Sequence, residues 1–550
     1  MAGRWGAVTV LGAAQFVMVL DSTVMNVSIS KVVTDLHTTI AGIQAAITFY
    51  TLTMAAFMLL GAKLGGMWGR RRALIIGSIV YAVGSATTAL SVNLAMLFIG
   101  WSVVEGLGAV LVIPAIAGLI ADNYTGHARV TAFSVIGAAS GVAVAVGPLV
   151  GGVVTTYASW RYVFAAEVVI MAVVIAFNRA VRKTIAAVPG RIDLLSVLLS
   201  AVALILIVYG LLQTKTWGWI LPSSDVKLFG LSPVPFLVAA GAVLLWLFLR
   251  RQHDLIDSGR APFLDLAILQ LRHLRAGVGS IGIQYAVTAG LFFIVPVYLQ
   301  ITLGLNAVTT GLHVFPLSVA LVLFSILGTV FARRLSPKRI ARIGQLVLVL
   351  ACLVLLASVD STLANGVFAT GMFLAGAALG LLASQLGNVT MSAVAPDEVS
   401  DAGGVQGVFQ NLGSSLGTAL LGSILIATLG TSFTGNLAAS DLPSSVQSQV
   451  NESTQKGVPI MPVAEIPQVA EKAGLSSQQG RQLAGIYENS QLQALRLSFA
   501  VLALISVGAL FFSRNLPDTV AGLKEPDSGR SGSKPGRNRH REKARDQAGG

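Results

Sequence analysis

The sequence predicts an all-α protein that crosses a membrane many times, and three observations carry that class. Of 550 residues, 54% are hydrophobic and 11% charged, with a mean hydropathy of +0.77, which is too apolar for a soluble globular chain. Apolar runs of about 20 residues, each long enough to cross roughly 30 Å of hydrocarbon, recur between short polar breaks. Lys and Arg gather in alternate breaks and are scarce in the others.

In order, the runs cover about 6–30, 41–64, 73–92, 94–121, 131–157 and 162–178, then 194–214 and 232–249, then 276–301, 308–332, 342–359, 364–391, 403–429 and 494–513. That makes about fourteen spans. The first run is too long for a signal h-region and is expected to remain as a span. The basic breaks hold Lys63, Arg70, Arg71 and Arg72, then Arg129, then Arg179, Arg182, Lys183 and Arg191. Further on come Arg250, Arg251, Arg260, Arg272 and Arg275, and then Arg333, Arg334, Lys338, Arg339 and Arg342. This side is expected to be cytoplasmic, with both termini on it, in a multi-pass protein of the cell membrane. Topology thus accounts for the net charge of +13 better than nucleic acid does. The lone cysteine, Cys352, permits no intrachain disulfide and no thiolate metal site.

Six spans, two spans and six spans point to a duplication with an insertion. AKLGGMWGRRR after the second span and ARRLSPKRIAR after the tenth are basic hinges at matching places. The expected division is a first bundle over 1–180, two inserted spans within 181–250, a cytoplasmic interfacial helix within 251–275, and a second bundle over 276–429 with 494–515. Residues 430–493 form an outer loop and 516–550 a disordered basic tail. Phe263 to Leu274 has one apolar face and reads as the interfacial helix. The outer loop is expected to hold a short helix near 476–489.

Within the apolar runs, charge is the informative exception. Asp21 lies about 24 Å along a helix that starts near Trp5. An ionised carboxylate in lipid costs at least about 2.5 kcal/mol, so such a residue is expected to face a watery cavity or carry a proton. The plainer alternative is a structural carboxylate capping a broken helix. Gln15, Ser22, Asn26 and Ser30 recur at helical spacing and give this span one polar stripe with Asp21 at its edge. In the fifth span Gly137, Gly141, Gly147, Pro148, Gly151 and Gly152 allow close helix approach and a bend, which generic packing also uses.

LDSTVMNVSIS, AKLGGMWGRRR, the run from Gly137 to Gly152, and SWRYVF at 159–164 occur in one order and spacing that resembles the major facilitator superfamily, specifically its fourteen-span drug:proton antiporter branch. Arg191-Ile192-Asp193, Tyr298-Leu299-Gln300, and Gly413 with Gly417 extend the likeness over about 5–515. The resemblance implies two six-helix bundles around a central cavity that opens to alternate sides, with the extra pair outside that core. It also implies a gate at Lys63, Gly69, Arg70 and Arg71, and a hinge at Gly141, Gly147, Pro148, Gly151 and Gly152.

This chain departs from the family pattern at several positions. Gly66 stands where the basic hinge normally has an acid that helps lock the cytoplasmic gate. Ser102 stands where the fourth span normally has an arginine tied to proton coupling, while Gly106 and Gly108 remain. Glu105 and Glu167 replace neutral amides. Glu105 falls about 16 Å along its span, near the bilayer centre. Desolvation without a cationic partner favours the neutral acid, so Glu105 is expected to exchange a proton; a permanently protonated, hydrogen-bonded glutamate is the alternative. Glu167 is expected nearer the outer rim, with Arg161 on a different helical face. These three acids are the candidate proton-coupling groups.

The second half offers only uncharged polar groups within its spans. Gln284, Tyr285, His313, Gln410 and Asn411, with Phe292, are candidate cavity residues beside Gln15 and Asn26 of the first span. No GxxxxGK[ST] loop and no His/Cys cluster of metal spacing occurs, so neither enzyme chemistry, a cofactor nor a metal is expected, and the energy source is expected to be an ion gradient. The resemblance implies a proton-coupled exporter of amphipathic, cationic or neutral small molecules, monomeric in the bilayer. Asp21 and Glu105 are expected to exchange protons for substrate, so that a positive substrate and a proton compete for the same negative charge. A lipid or lipid-like metabolite mover and a non-transporting membrane sensor stay open.

Overall fold

A computed structural model describes residues 2–124, 126–181, 192–222, 226–260, 262–332, 334–391, 394, 399–454 and 458–517. The basic tail from Asp518 on, and Arg182, Lys183, Arg191 and Arg333 of the basic breaks, lie outside the described residues; so does the Arg129 side chain. The long helices are α1 (Ala2–Val27), α2 (Ile40–Trp68), α3 (Arg70–Ala89), α4 (Gly106–Asn123), α5 (Gly126–Tyr157), α6 (Arg161–Phe177), α7 (Leu194–Leu212) and α8 (Val234–Asp257). They continue as α9 (Arg272–Pro296), α10 (Ala307–Phe331), α11 (Pro337–Ala357), α12 (Asn365–Met391), α13 (Val399–Ala438) and α14 (Ser477–Ser513). A π-helical stretch, Phe98–Glu105, leads into α4, and another, Val297–Thr302, follows α9.

Among the described residues, 12 helices are long and apolar enough to cross a bilayer, or 13 if the bent α5 is one span. The expected sixth span is α6, whose 17 residues fall at the short limit of about 17–25 for a crossing helix. The count of fourteen therefore depends on α6.

The two halves repeat one packing scheme. In the first, α1 meets α5, α2 meets α4, and α3 meets both α4 and α6; in the second, α9 meets α13, α10 meets α12, and α11 meets both α12 and α14. The halves touch symmetrically, the second helix of each against the fifth of the other: α2 on α13 and α5 on α10. The inserted α7 and α8 pack on each other, and α7 leans on the α2–α13 seam. This packing repeat accords with the duplication that the six-two-six order of spans and the two basic hinges suggest.

Gly69 makes the sharp turn from α2 to α3. Its φ of +89° suits glycine because a Cβ would be strained there. Within α5, a 41° bend separates 135–144 from 146–157. The bend falls one helical turn before Pro148, whose ring cannot sit against the carbonyl of Val144.

Two expected elements differ. The twelve-residue interfacial helix is a single turn, Leu266–Gln270, capped by Asp265, whose side chain accepts from the Ala267 N–H. Phe263, Leu264, Leu266 and Ile268 are buried in a cluster with Phe248 of α8 and Val405 of α13, so the segment serves as a packed linker rather than a surface float. The short helix near 476–489 is the start of α14, opened by a capping box between Ser476 and Gln479. Both α13 and α14 exceed the length a bilayer needs, at 40 and 37 residues. Between them Leu442, Val446, Val450, Ile466, Ala470 and Leu475 are buried, giving the outer segment a small apolar core.

The inserted pair is tied at its basic end. Asp193 caps α7, accepting from the Ser196 N–H at 3.3 Å, and takes the Arg251 Nε and Nη2 of α8 at 3.1 and 3.2 Å. The Arg251 guanidinium holds the Asp193 carboxyl below the ordinary carboxylate range. A depressed carboxylate contributes stability above its unfolded value and loses it as pH falls through the folded one. Asp193→Ala should therefore lower the stability of detergent-solubilised protein by about 1–2 kcal/mol at pH 7, and thermal unfolding should show the gap to wild type closing as pH is lowered past about 4.

Candidate functional site

The three intramembrane acids, far apart in sequence, meet inside the first bundle. Asp21 of α1, Glu105 at the end of the π-helical stretch, and Glu167 of α6 each place a carboxylate oxygen within 4.8 Å of the others. All three residues are fully buried. The expectation that Asp21 faces a watery cavity is thus corrected: it points into the bundle. Glu167 is likewise not at the rim but in the cluster, while Arg161 pairs elsewhere, with Asp35 at 3.4 Å and the Ser91 carbonyl at 2.9 Å.

The donors around the acids are neutral. Trp101 donates its indole N–H to both oxygens of Asp21, at 2.9 and 3.0 Å, and stacks on Tyr50 of α2 with ring centroids 4.9 Å apart. Glu167 accepts from Ser85 at 3.1 Å and Tyr81 at 3.4 Å, both on α3. Glu105 has no hydrogen-bond partner on either oxygen among the described residues, and Glu167 Oε1 has none. Ser102, in the place of the family's arginine, turns away and donates to the Ala46 carbonyl at 2.8 Å. The wider π-helical turn carries one more residue per loop than an α-helix, and it is Trp101, the neighbour of Ser102, that faces Asp21.

Two unit charges at such a separation repel by about 3–4 kcal/mol at an effective dielectric near 20. Three carboxylates with no cation among their partners in the described residues resist being ionised together. The same three are close enough to ligate one metal ion, although calcium and magnesium take six or more oxygens and the Asp21 oxygens already accept from Trp101.

Sequence reasoning missed Trp101, Tyr50, Tyr81 and Ser85. A signal existed for two pairs: Trp101 precedes Glu105 by four residues, and Tyr81 precedes Ser85 by four, each on one helical face.

The other candidates lie apart from the acids. Of the candidate gate residues, Arg70 bonds Asp122 and the Gly118 carbonyl, and Arg71 bonds Asn178 at 3.2 Å, all within the first half. Lys63 reaches the Pro262 carbonyl and lies 5.4 Å from the Phe263 ring centre, so the linker from the inserted pair meets the gate lysine. Gly66 has open space around it. The candidate hinge residues are contact points: Gly147 against Thr23, Gly151 against Val24 and Val27, Gly152 against Ala307, and the Pro148 carbonyl against Gly311, while among the described residues Gly141 has only Val322 near it. Of the cavity candidates, Asn26, Gln284 and Phe292 are buried, Gln15, His313, Gln410 and Asn411 half-buried, and Tyr285 exposed. Asn26 and Asn411 bond carbonyls of their own helices, and His313 bonds Thr309 and Asn365. None of these bonds reaches the acids.

Every hydrogen bond between the halves named here lies toward the end away from the basic breaks or near mid-span. Gln300 accepts from Ser30 at 2.6 Å and donates to the Val27 carbonyl at 2.8 Å, and Gln44 donates to the Thr418 carbonyl at 3.1 Å. Ser318 donates to the Val144 carbonyl at 3.3 Å.

Two repeated helical bundles of membrane length, joined across symmetric seams, define a multi-span membrane transporter. Residues 11–418 match the family described as Major Facilitator Superfamily, and the chain belongs to that family. It is similar to the probable actinorhodin transporter of Streptomyces coelicolor, with 28% identity over 79% of this chain and 75% of the relative. It is also similar to the tetracenomycin C resistance and export protein of Streptomyces glaucescens, with 26% identity over 95% and 94%. Among solved structures, an auto-inhibited POT family peptide transporter aligns with a TM-score of 0.59 and 14% identity, over 96% of this chain and 99% of that one, a likeness of fold alone.

Proposed function

We propose that this chain is a proton-coupled exporter of amphipathic small molecules, of the drug or antibiotic kind, working by alternating access in the cell membrane with both termini cytoplasmic. The observation that carries the reading is the buried cluster of Asp21, Glu105 and Glu167 in one bundle of a transporter fold, where crowded carboxylates without a cationic partner among the described residues favour taking up protons. The names of two relatives, a probable actinorhodin transporter and a tetracenomycin C resistance and export protein, support the substrate class.

In this reading residues 1–180 form the bundle that titrates, and residues 276–429 with 494–515 form its partner. The seams of α2 on α13 and α5 on α10 are the surfaces on which the halves rock, with Gly147, Pro148, Gly151 and Gly152 as close contacts. Protonation of the cluster removes like-charge repulsion and lets α1, α4 and α6 close up; release of the proton on the other side reverses it. Arg70 and Arg71 hold the basic ends of the first bundle together, and Lys63 of α2 ties that end to the linker through the Pro262 carbonyl, with no acid at Gly66. The protein acts as a monomer, each chain containing both halves of its cavity.

The test is efflux of a compound panel from cells expressing the protein, with and without an uncoupler. Efflux of some members that stops with the uncoupler is expected. Efflux unaffected by the uncoupler, or none for any member, overturns the proposal.

A further inference from the structure

Away from their ends, the six spans of each half contain very few fixed charges, and those few are all in one place. Between the basic and far ends of its spans, the first half carries only Asp21, Glu105 and Glu167. The second half has no Asp, Glu, Lys or Arg within 277–331, 343–359, 361–391, 402–438 or 497–513. The three acids are fully buried, and every partner that faces them belongs to the first bundle: Tyr50 from α2, Tyr81 and Ser85 from α3, Trp101 from the π-helical stretch. The seams between the halves are made of amides, hydroxyls, backbone and apolar side chains, such as Gln44 on Thr418, Ser415 on Thr48 and Ser318 on Val144.

From this we propose that the transported molecule carries no net charge and that transport is electrogenic. The inference rests on the exporter reading above and names its substrate class. A cation between the halves would find no carboxylate to meet it, because the only ones are sealed behind Trp101, Tyr81 and Ser85. An anion would find no Arg or Lys. Either charge would leave water for a passage of amides and hydroxyls, a transfer that is costly unless the charge is paired. An uncharged amphipathic solute meets no such cost and matches the polar, apolar and aromatic groups available. Proton and substrate therefore do not compete for one carboxylate; they bind at separate places and are linked through the packing of the first bundle. Charge balance follows: each proton that crosses inward against an uncharged solute leaving moves one net positive charge inward.

The experiment uses full-length protein in proteoliposomes loaded with a panel of probes. Chloramphenicol and uncharged polycyclic aromatics form one arm, and the fixed cations ethidium and benzalkonium the other. Efflux is compared with protein-free vesicles under a pH gradient alone and under a valinomycin–potassium potential alone, inside negative, at equal pH. Uncharged members are expected to leave under either force, with 100 mV supporting up to about a 50-fold gradient per proton, and the fixed cations to show no protein-dependent efflux. Protein-dependent efflux of ethidium or benzalkonium, or uncharged efflux indifferent to the potential, overturns the inference and leaves the exporter reading standing. No protein-dependent flux of any probe under either force overturns the exporter reading itself, and the inference falls with it.

Discussion

Glu105→Gln is expected to abolish pH-gradient-driven export while leaving the protein folded. One pH unit stores about 1.4 kcal/mol per proton, so a coupled transporter can sustain about a tenfold solute gradient for each proton it exchanges. A variant that cannot take up that proton should sustain none. The amide keeps the shape of the side chain, and neither Glu105 oxygen has a donor to lose among the described residues. Removing one of three crowded carboxyls also removes repulsion, so thermal stability should be unchanged or slightly higher. Asp21→Asn should behave alike, because the asparagine carbonyl can still accept from Trp101. The readout that separates coupling from mere structure is counterflow, the exchange of labelled for unlabelled substrate with no gradient imposed. It should survive in both variants while pH-driven export is lost. Undiminished pH-driven export by both would remove the acids from the mechanism.

Much of the scaffold is legible in the residues because membrane insertion is a local test: a stretch of about 20 apolar residues declares itself without reference to any other part of the chain. The acids are legible for the same reason, since charge in hydrocarbon is conspicuous wherever it falls. Their meeting is not. Whether Glu167 sits at the rim or beside Asp21 depends on how α3 and α6 stagger, and that is set by contacts between helices remote in sequence. The linker shows the reverse error. Phe263 to Leu274 has the apolar face of a surface helix, and nothing local reveals that Phe248 and Val405 cover that face. Ser102 in the arginine's place is legible, but Trp101 as the donor to Asp21 is not, because it lies in a π-helical turn that no residue pattern in the stretch announces.

Gly84→Val should cost both stability and coupling, because glycine there lets α3 lie directly against the strand of helix that carries Glu105. A Cβ at Gly84 would fall 2.5 Å from the Glu105 nitrogen and 2.7 Å from its Cα. The contact is reciprocal: a Cβ at Gly108 would fall 2.5 Å from the Tyr81 nitrogen and 2.7 Å from its Cα. Both obstacles are backbone, so no side-chain rotation relieves them, and the helices must part. Overpacking of this kind costs typically about 1–3 kcal/mol and more where the backbone is held on both sides. Parting α3 from the Glu105 segment also draws Tyr81 and Ser85, which hold Glu167, away from Glu105. Thermal unfolding of the purified variant should shift down by several degrees, and pH-driven export should fall even in the fraction that stays folded. Gly508→Val is the matched control, with open space around its Cα on an exposed face of α14. Since both substitutions put the same β-branched residue into a helix, their difference reports the crossing at Glu105 and not helix propensity. Equal behaviour of the two variants would mean that α3 and the Glu105 segment do not need this close approach.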